Sequence, residues 1–282
     1  MGEILGSIGE DGMFNLWQED VVETPNSGRR FRKISSLRSE TNVPFTSLDF
    51  KNIMTETCVA LITRDGYLAV YEPIDSDNLT EWRPITRQYV CSTPSRQEET
   101  GFKVCFHHEK LPCWTAIQAG LDRNALSLAV AAMDVVKILR TDKGRRLYEA
   151  AQLTGARNII RDVAWANGAM RGFDVVATAS KDGAIRIYEL STPTAVQGAA
   201  ATSGVLIPPT IVETPSSPRG GSGARNAPSG IGAGLAGASR SKESAQGEDQ
   251  NPGAIKHAVK LVAELTQHHG AVWRVSFSQM GE

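Results

Sequence analysis

A short hairpin pattern that recurs along the chain constrains the fold more than any other feature. Three stretches align without a gap: ILGSIGEDGMFNLWQ, CVALITRDGYLAVYE and VVATASKDGAIRIYE. Each places an Asp-Gly pair between two apolar runs, and Asp-Gly suits the positive backbone dihedrals of a tight hairpin turn. A hairpin that recurs in this way indicates a fold assembled from repeated units.

The three copies share an Asp-Gly pair, a large aromatic residue five positions after the glycine, and apolar residues at alternate positions between them. This alternation is typical of a strand with one buried face. The turn pairs are Asp11-Gly12, Asp65-Gly66 and Asp182-Gly183, the aromatic residues are Trp17, Tyr71 and Tyr188, and the apolar residues are Phe14, Leu16, Leu68, Val70, Ile185 and Ile187. A fourth, degenerate copy, SLAVAAMDVVKILR, keeps Asp134 but has no glycine after it.

The spacing of these aspartates is close to that of β-propeller blades. Successive turn aspartates are 54, 69 and 48 residues apart, against roughly 40 to 45 for a four-stranded blade. A short strand ending in an aromatic residue precedes each hairpin except the first (TSLDF, FKVCF, IRDVAW), and a further one, AVWRVSF, has no hairpin after it. We therefore predict an all-β, incomplete propeller with three full four-stranded blades and parts of one or two more.

The chain resembles the WD-repeat family, whose repeats run from a histidine near the first strand to an aspartate turn and a terminal tryptophan. Within that family it is similar to the small WD-repeat nucleoporins of the Y-shaped outer-ring complex. The resemblance rests on GEILGSIGEDGMFNLWQED, DGYLAVYEPIDSDNLTEW, VVATASKDGAIRIYEL and QHHGAVWRVSF. His268 and Trp273 lie in the last of these stretches, whereas the chain contains no Trp-Asp pair.

The resemblance implies a non-catalytic scaffold, without a cofactor, at the nuclear envelope and nuclear pore complex, with a role in protein and mRNA transport. In that family the propeller is left open, and a helical scaffold nucleoporin donates a blade by strand addition. Family members also serve in the vacuolar or lysosomal complex that relays amino-acid supply to the target-of-rapamycin kinase. Two alternatives stay open: a peptide-recognition adaptor such as a ubiquitin-ligase substrate receptor, and a COPII-coat-like propeller.

The overall charge is nearly balanced, with 30 basic and 31 acidic residues among 282. The balance favours neither nucleic acid nor an anionic membrane as a direct partner. No apolar run approaches the ~18 residues of a membrane-spanning helix, so no direct membrane insertion is expected. Cys58, Cys91, Cys105 and Cys113 show no close metal-ligand spacing and are expected to be reduced thiols.

A segment rich in Gly, Ala, Ser and Pro interrupts the repeats at 192–253. Because it contains no aromatic residue, we expect it to be disordered. It separates propeller blades over 1–191, the first without its inner strand, from an outer strand and the first strand of a following blade over 254–282. The stretch KHAVKLVAELTQ fits both helical and strand periodicity, and the register of the repeat favours an outer strand.

The residues that could take part in catalysis or metal binding have structural explanations. His107 and His108 are adjacent, but no carboxylate or cysteine stands at ligand spacing, so a structural role at a loop edge is favoured over metal binding. The resemblance implies that His268 hydrogen-bonds within its blade, and the turn aspartates are expected to satisfy backbone donors. No Ser-His-Asp set, Cys-His set or phosphate-binding glycine loop is recognisable, so no catalytic, cofactor or metal residue is predicted.

The number of predicted strands and the blade geometry of the family together indicate an open arc. Three strands precede Thr41, three units of four follow, and one innermost strand, Ala271 to Phe277, is left over. That strand would close a four-bladed ring only with much steeper blade packing than the family's rings of six or seven blades. We expect an open arc, the product of a truncated isoform or an incomplete gene model, whose unpaired edges need either the missing ends or a partner.

Overall fold

The computed structural model describes residues 3–53, 56–168, 171–193 and 254–278. Their secondary structure is almost entirely β, in four antiparallel sheets that follow one another along the chain. The first sheet contains β1 (Ile4–Ile8), β2 (Met13–Glu19) and β3 (Phe31–Arg38). The second contains β4 (Phe45–Ile53), β5 (Glu56–Thr63), β6 (Tyr67–Asp75) and β7 (Asn78–Tyr89).

The third sheet carries the one short helix of the described residues. It contains β8 (Phe102–Phe106), β9 (Ser127–Ala132), β10 (Val135–Thr141) and β11 (Leu147–Leu153), with the helix α1 (Trp114–Gln118) between its first two strands. The fourth contains β12 (Ile160–Trp165), β13 (Asp174–Ser180), β14 (Ile185–Ser191) and β15 (Ala258–Leu265). β15 is outermost in this sheet, where the register of the repeat places it. The expected disordered insert lies outside the described residues from 194 to 253.

A glycine with a positive φ forms part of each repeated Asp-Gly turn. Gly12, Gly66 and Gly183 have φ of 73°, 82° and 85°, a left-handed conformation that glycine adopts without the strain of a side chain. In the third sheet the turn is formed by Met133 and Asp134 alone, and Met133 takes the positive φ, 61°. The degenerate copy of the pattern is therefore a genuine hairpin with a tighter turn.

Neighbouring sheets pack face to face, and buried apolar clusters fill each of the three junctions. The second sheet is covered on both faces: Leu68 and Ala69, neighbours on β6 that point to opposite sides, are 0% and 2% exposed. At the first junction Gly6 of β1 lies against Phe50 of β4, so closely that an added Cβ would come within 2.6 Å of the ring. The sheets stack as consecutive propeller blades.

The outer part of the fourth sheet is covered on one face only, which reverses one expectation. Tyr188 is 3% exposed and packs toward the third sheet, whereas Ile185 and Ile187 are only half-buried. The sequence pattern assigns the two isoleucines to the buried face. They are half-exposed because no further sheet covers that side of β14 in the described part of the chain.

The four sheets form an unclosed arc, as expected. Packing contacts link the first sheet to the second, the second to the third, and the third to the fourth. The inner strands β4, β8 and β12 are consecutive neighbours in this stack. The architecture is thus an incomplete propeller, with one free end on the first sheet and another on the fourth.

Residues 266–278 form no strand, in contrast to the strand expected over Ala271 to Phe277. A strand requires a hydrogen-bonded neighbour, and no segment of the described chain pairs with this one. Its assignment to a following blade stays a prediction.

The same segment nevertheless lies against the fourth sheet in the manner of an inner strand. Two of its hydrogen bonds have counterparts at earlier junctions between sheets. Val272 N–H donates to Ser180 O at 3.0 Å, as Ile160 N–H donates to Met133 O at 2.6 Å. Val275 N–H donates to Asp162 Oδ2 at 3.1 Å, as Val104 N–H donates to Ser47 Oγ at 3.3 Å. The fourth sheet therefore presents the same docking groove to its neighbour as the sheets before it.

Candidate interaction surface at the open ends

The outward face of the first sheet is the first open surface. β1 pairs with β2 and has no strand on its other edge among the described residues. Ile4 and Ile8 pack toward the second sheet, so the alternation of a strand directs Leu5 and Ser7 outward. Leu5 is 53% exposed, and the hydroxyl of Ser7 accepts a hydrogen bond from the Trp17 indole at 2.9 Å.

The fourth sheet and the segment that follows it form the second open surface. On β15 the exposed fractions of Leu261 and Val262 are 47% and 55%, and Trp273 beyond it is 65% exposed. The guanidinium of Arg161 lies over the Trp273 ring, 4.6 Å from its centroid. Large apolar side chains and a free strand edge at the surface are typical of protein-binding sites.

The turn aspartates are used to hold the hairpins. Asp11 accepts the Met13 N–H at 3.0 Å, and Asp182 accepts the equivalent N–H, that of Ala184, at 3.0 Å. Asp65 instead accepts hydrogen bonds from hydroxyl groups, among them that of Tyr89 at 3.3 Å. Each of the three carboxylates thus has hydrogen-bond partners in or beside its turn.

Asp182 differs from the other two turn aspartates in its contact with an arginine. Its Oδ2 also accepts the Arg157 N–H at 2.8 Å and lies 2.9 Å from Nη1 of Arg186, which is almost fully buried. Burial acts to raise the pKa of Asp182, but the hydrogen bonds from Arg157, Ala184 and Arg186 outweigh it and lower the pKa overall. Asp182 is therefore the counter-ion of a buried arginine as well as a turn residue.

The remaining repeat positions lie apart from one another. Tyr71 and Tyr188 are buried, and the Tyr188 hydroxyl donates to Thr154 O at 2.8 Å. Asp134 and His268 are exposed. The hydrogen bond within the blade that the family pattern implies for His268 stays a prediction.

A buried polar cluster at the junction of the third and fourth sheets escaped the sequence analysis. Arg140 Nη2 lies 2.6 Å from Asp174 Oδ2, and both side chains are buried. His107 and His257 flank this ion pair, and burial lowers the pKa of each imidazole to about 4. Both histidines are thus neutral at pH 7. The sequence does not indicate that the two histidines lie beside the same ion pair, because they belong to different loops.

His108 has different surroundings from its neighbour His107. Its Nε2 lies 3.2 Å from Asp49 Oδ2, and Cys105 stands beside them. The spacing of residues in the sequence did not predict that a carboxylate or a cysteine would lie close enough to His108 to bind a metal ion with it. Asp49 belongs to the second sheet and His108 to the loop after β8, so only the packing of the two sheets brings them together.

Curated relatives of this chain share the name nucleoporin SEH1, and no family model matches it. The protein of that name from Chaetomium thermophilum is 35% identical over 175 residues, which cover 53% of this chain and 32% of the relative. The protein from Saccharomyces cerevisiae is 25% identical over 285 residues, which cover 99% of this chain and 71% of the relative. The human protein is 28% identical over 200 residues, which cover 67% of this chain and 50% of the relative. The chain thus spans about a third of the first relative, half of the human one and 71% of the yeast one.

These relatives confirm the resemblance to the small WD-repeat nucleoporins. Among solved structures, the chain is similar to Chaetomium thermophilum Sqt1 bound to the N-terminus of ribosomal protein L10, with a TM-score of 0.41, 14% identity, and coverage of 66% of this chain and 41% of that one. It is also similar to a chain of an active polycomb repressive complex 2, with a TM-score of 0.46 and 12% identity. The match covers 67% of this chain and 34% of that one. Within the described residues, no helix is long and apolar enough to cross a membrane.

Proposed function

We propose that this chain is a non-catalytic scaffold subunit of the outer-ring complex of the nuclear pore. The nucleoporin relatives point to that assembly. The observation that carries the proposal is the open arc itself, which leaves unpaired strand edges and exposed apolar side chains at both ends. A scaffold uses such surfaces to bind protein partners, whereas an enzyme needs convergent reactive groups.

The partner we propose is a helical scaffold nucleoporin that donates strands to the free edge of β1. The first sheet has three strands, and a strand added beside β1 would bring it to the four of its neighbours. Main-chain hydrogen bonds supply affinity in this mode, and side chains beside the edge supply specificity. Leu5 lies on the edge strand itself and offers an exposed apolar contact.

We extend the proposal to a second assembly, the vacuolar or lysosomal complex upstream of the target-of-rapamycin kinase. The resemblance to the nucleoporins implies it, and an open edge of this kind serves any assembly whose partner donates matching strands. The chain would then be present both at the nuclear pore and at the vacuolar or lysosomal surface.

Affinity purification from cells tests the proposal. Outer-ring nucleoporins are expected to co-elute with the wild-type chain and to be lost with Leu5→Lys, because a charge on an edge strand opposes strand addition. Ile74→Lys is the matched control: Ile74 is 58% exposed on the second sheet, away from β1. It is expected to leave co-elution unchanged.

Two results would overturn the proposal. If outer-ring nucleoporins were absent from the wild-type eluate, the scaffold assignment would be wrong, and recovery of ubiquitin-ligase or COPII subunits instead would favour the alternatives. If Leu5→Lys retained them as fully as Ile74→Lys does, strand addition at β1 would be wrong.

A further inference from the structure

Three side chains of metal-ligand type converge where the second sheet meets the third. They are Asp49 on β4, Cys105 on β8, and His108 in the loop that follows β8. One ligand atom from each lies within 4.8 Å of the other two, and Asp49 Oδ2 is 3.2 Å from His108 Nε2. The role of the chain as a scaffold makes no use of this group.

We propose that Asp49, Cys105 and His108 form a binding site for a divalent transition-metal ion, with zinc as the best chemical fit. Zinc binds thiolate, imidazole and carboxylate ligands at 2.0–2.3 Å. A tetrahedral ion at those distances holds its ligand atoms roughly 3.3–3.8 Å apart. The separation of the Asp49 and His108 atoms already approaches that range, and the cysteine sulfur needs a shift of no more than about 1 Å to reach it.

The surrounding structure holds two of the ligands in place. Asp49 accepts the Phe50 N–H at 2.9 Å through Oδ1 and the Phe106 N–H at 2.7 Å through Oδ2. These bonds orient the carboxylate, as outer hydrogen bonds commonly do at metal sites. They also tie β4 to β8, so that Asp49 and Cys105 keep their relative positions.

Lys51 fixes the loop that carries His108. Its ammonium donates to His107 O at 2.8 Å and to Glu109 O at 3.3 Å, the carbonyls on either side of His108. Lys51 is 3% exposed, so this anchor is a buried one. The backbone at His108 is therefore held with the imidazole beside Asp49.

The site opens toward solvent, which leaves room for a fourth ligand. The side chain of His108 is 48% exposed, and a cavity of about 260 Å³ adjoins His108 and Cys105. Three protein ligands and a water molecule form a common zinc environment. When the ion binds, the Cys105 thiol loses its proton to the buffer, and His108 binds through Nε2 as a neutral imidazole that carries its proton on Nδ1. The resulting thiolate and the Asp49 carboxylate balance the charge of the ion.

Cobalt(II) is the probe for this site, because thiolate ligation to it produces a near-ultraviolet charge-transfer band. The purified chain, stripped of metal with a chelator, is expected to bind one Co²⁺ with that band and to lose the band when Zn²⁺ is added. Cys105→Ser should abolish the band, and His108→Gln should weaken Zn²⁺ binding, measured by calorimetry, at least about tenfold.

Cys91→Ser and His268→Gln are the matched controls. Cys91 is a half-buried thiol and His268 an exposed imidazole, both outside the cluster. Both variants should bind like the wild type. A wild-type chain without the charge-transfer band, or a band that survives Cys105→Ser, would overturn the proposal. Since His108 is exposed, His108→Gln is expected to fold even if the cysteine variant does not, and unchanged Zn²⁺ affinity in it would also overturn the proposal.

Discussion

At the scale of single residues, the repeated aspartates differ more than their identical sequence context suggests. Asp11 is exposed, and the hydrogen bond it accepts is that of Met13. Asp182 contacts two backbone N–H groups and the guanidinium of Arg186, which is 2% exposed. The same turn residue thus has a larger structural role where a buried arginine lies beneath it.

Asp182→Ala is therefore expected to destabilise the chain more than Asp11→Ala. Loss of a turn hydrogen bond costs about 1 kcal/mol, and the penalty for leaving a buried charged group without its partner adds roughly 1–3 kcal/mol. The expected losses are about 1 kcal/mol for Asp11→Ala and about 2–4 kcal/mol for Asp182→Ala. Denaturant unfolding of the two variants measures the difference. Equal losses would show that Glu264, 2.7 Å from Arg186, suffices as its counter-ion.

At the scale of elements, the hairpin of β14 and β15 shows how a long insertion is accommodated. Ser191, the last residue of β14, pairs with Ala258, the first of β15. The Thr192 hydroxyl lies 3.2 Å from Nδ1 of His257. The two ends of the intervening segment therefore meet at one point, and a few residues suffice to join them.

Replacing residues 194–253 with a few Gly and Ser residues is expected to preserve the fold. Loop-closure entropy changes by only about 0.6 kcal/mol for each doubling of loop length, so stability should stay the same or rise by at most about 2 kcal/mol. Denaturant unfolding of the shortened chain tests this, with a scrambled insert of equal length and composition as the control. Markedly lower stability of both variants would indicate that the insert packs against the sheets.

At the scale of the whole molecule, the open arc exposes what a closed propeller would bury. The half-buried Ile185 and Ile187 belong to the face that a further sheet would cover, and β15, at the free edge of the fourth sheet, is exposed along almost its whole length. Exposed apolar surface beside a free strand edge promotes association between molecules.

The isolated chain is accordingly expected to associate as its concentration rises. The double variant Leu261→Lys/Val262→Lys should raise the monomer fraction, because charges on an outer strand oppose edge-to-edge pairing. Leu111→Lys, at a position 45% exposed in the loop before α1, is the control and should associate like the wild type. Light scattering over a concentration series provides the measurement. A wild-type chain that is monomeric throughout, with one sharp unfolding transition, would contradict this expectation.

Much of the fold is local in origin and could be predicted from the chain alone. Asp-Gly pairs require tight turns, and period-two alternation requires strands. The three hairpins at Gly12, Gly66 and Gly183, the degenerate one at Asp134, and the division into blades are therefore all visible in the sequence. The open arc was expected from the number of strands together with the blade geometry that the resemblance to the family implies. The hairpins depend on residues a few positions apart, and the division into blades depends on the recurrence of the hairpin along the chain.

The features that could not be predicted from the sequence depend on contacts between sheets. The alternation of β14 was plain, but which of its faces is buried depends on whether a further sheet covers it. The segment from Ala271 to Phe277 has the composition of a strand yet forms none, because no described segment pairs with it. The cluster of Asp49 with His108 was invisible for a related reason. Sequence spacing reports neighbours along one strand or loop, whereas this site exists because the packing of two sheets brings a carboxylate to within 3.2 Å of an imidazole.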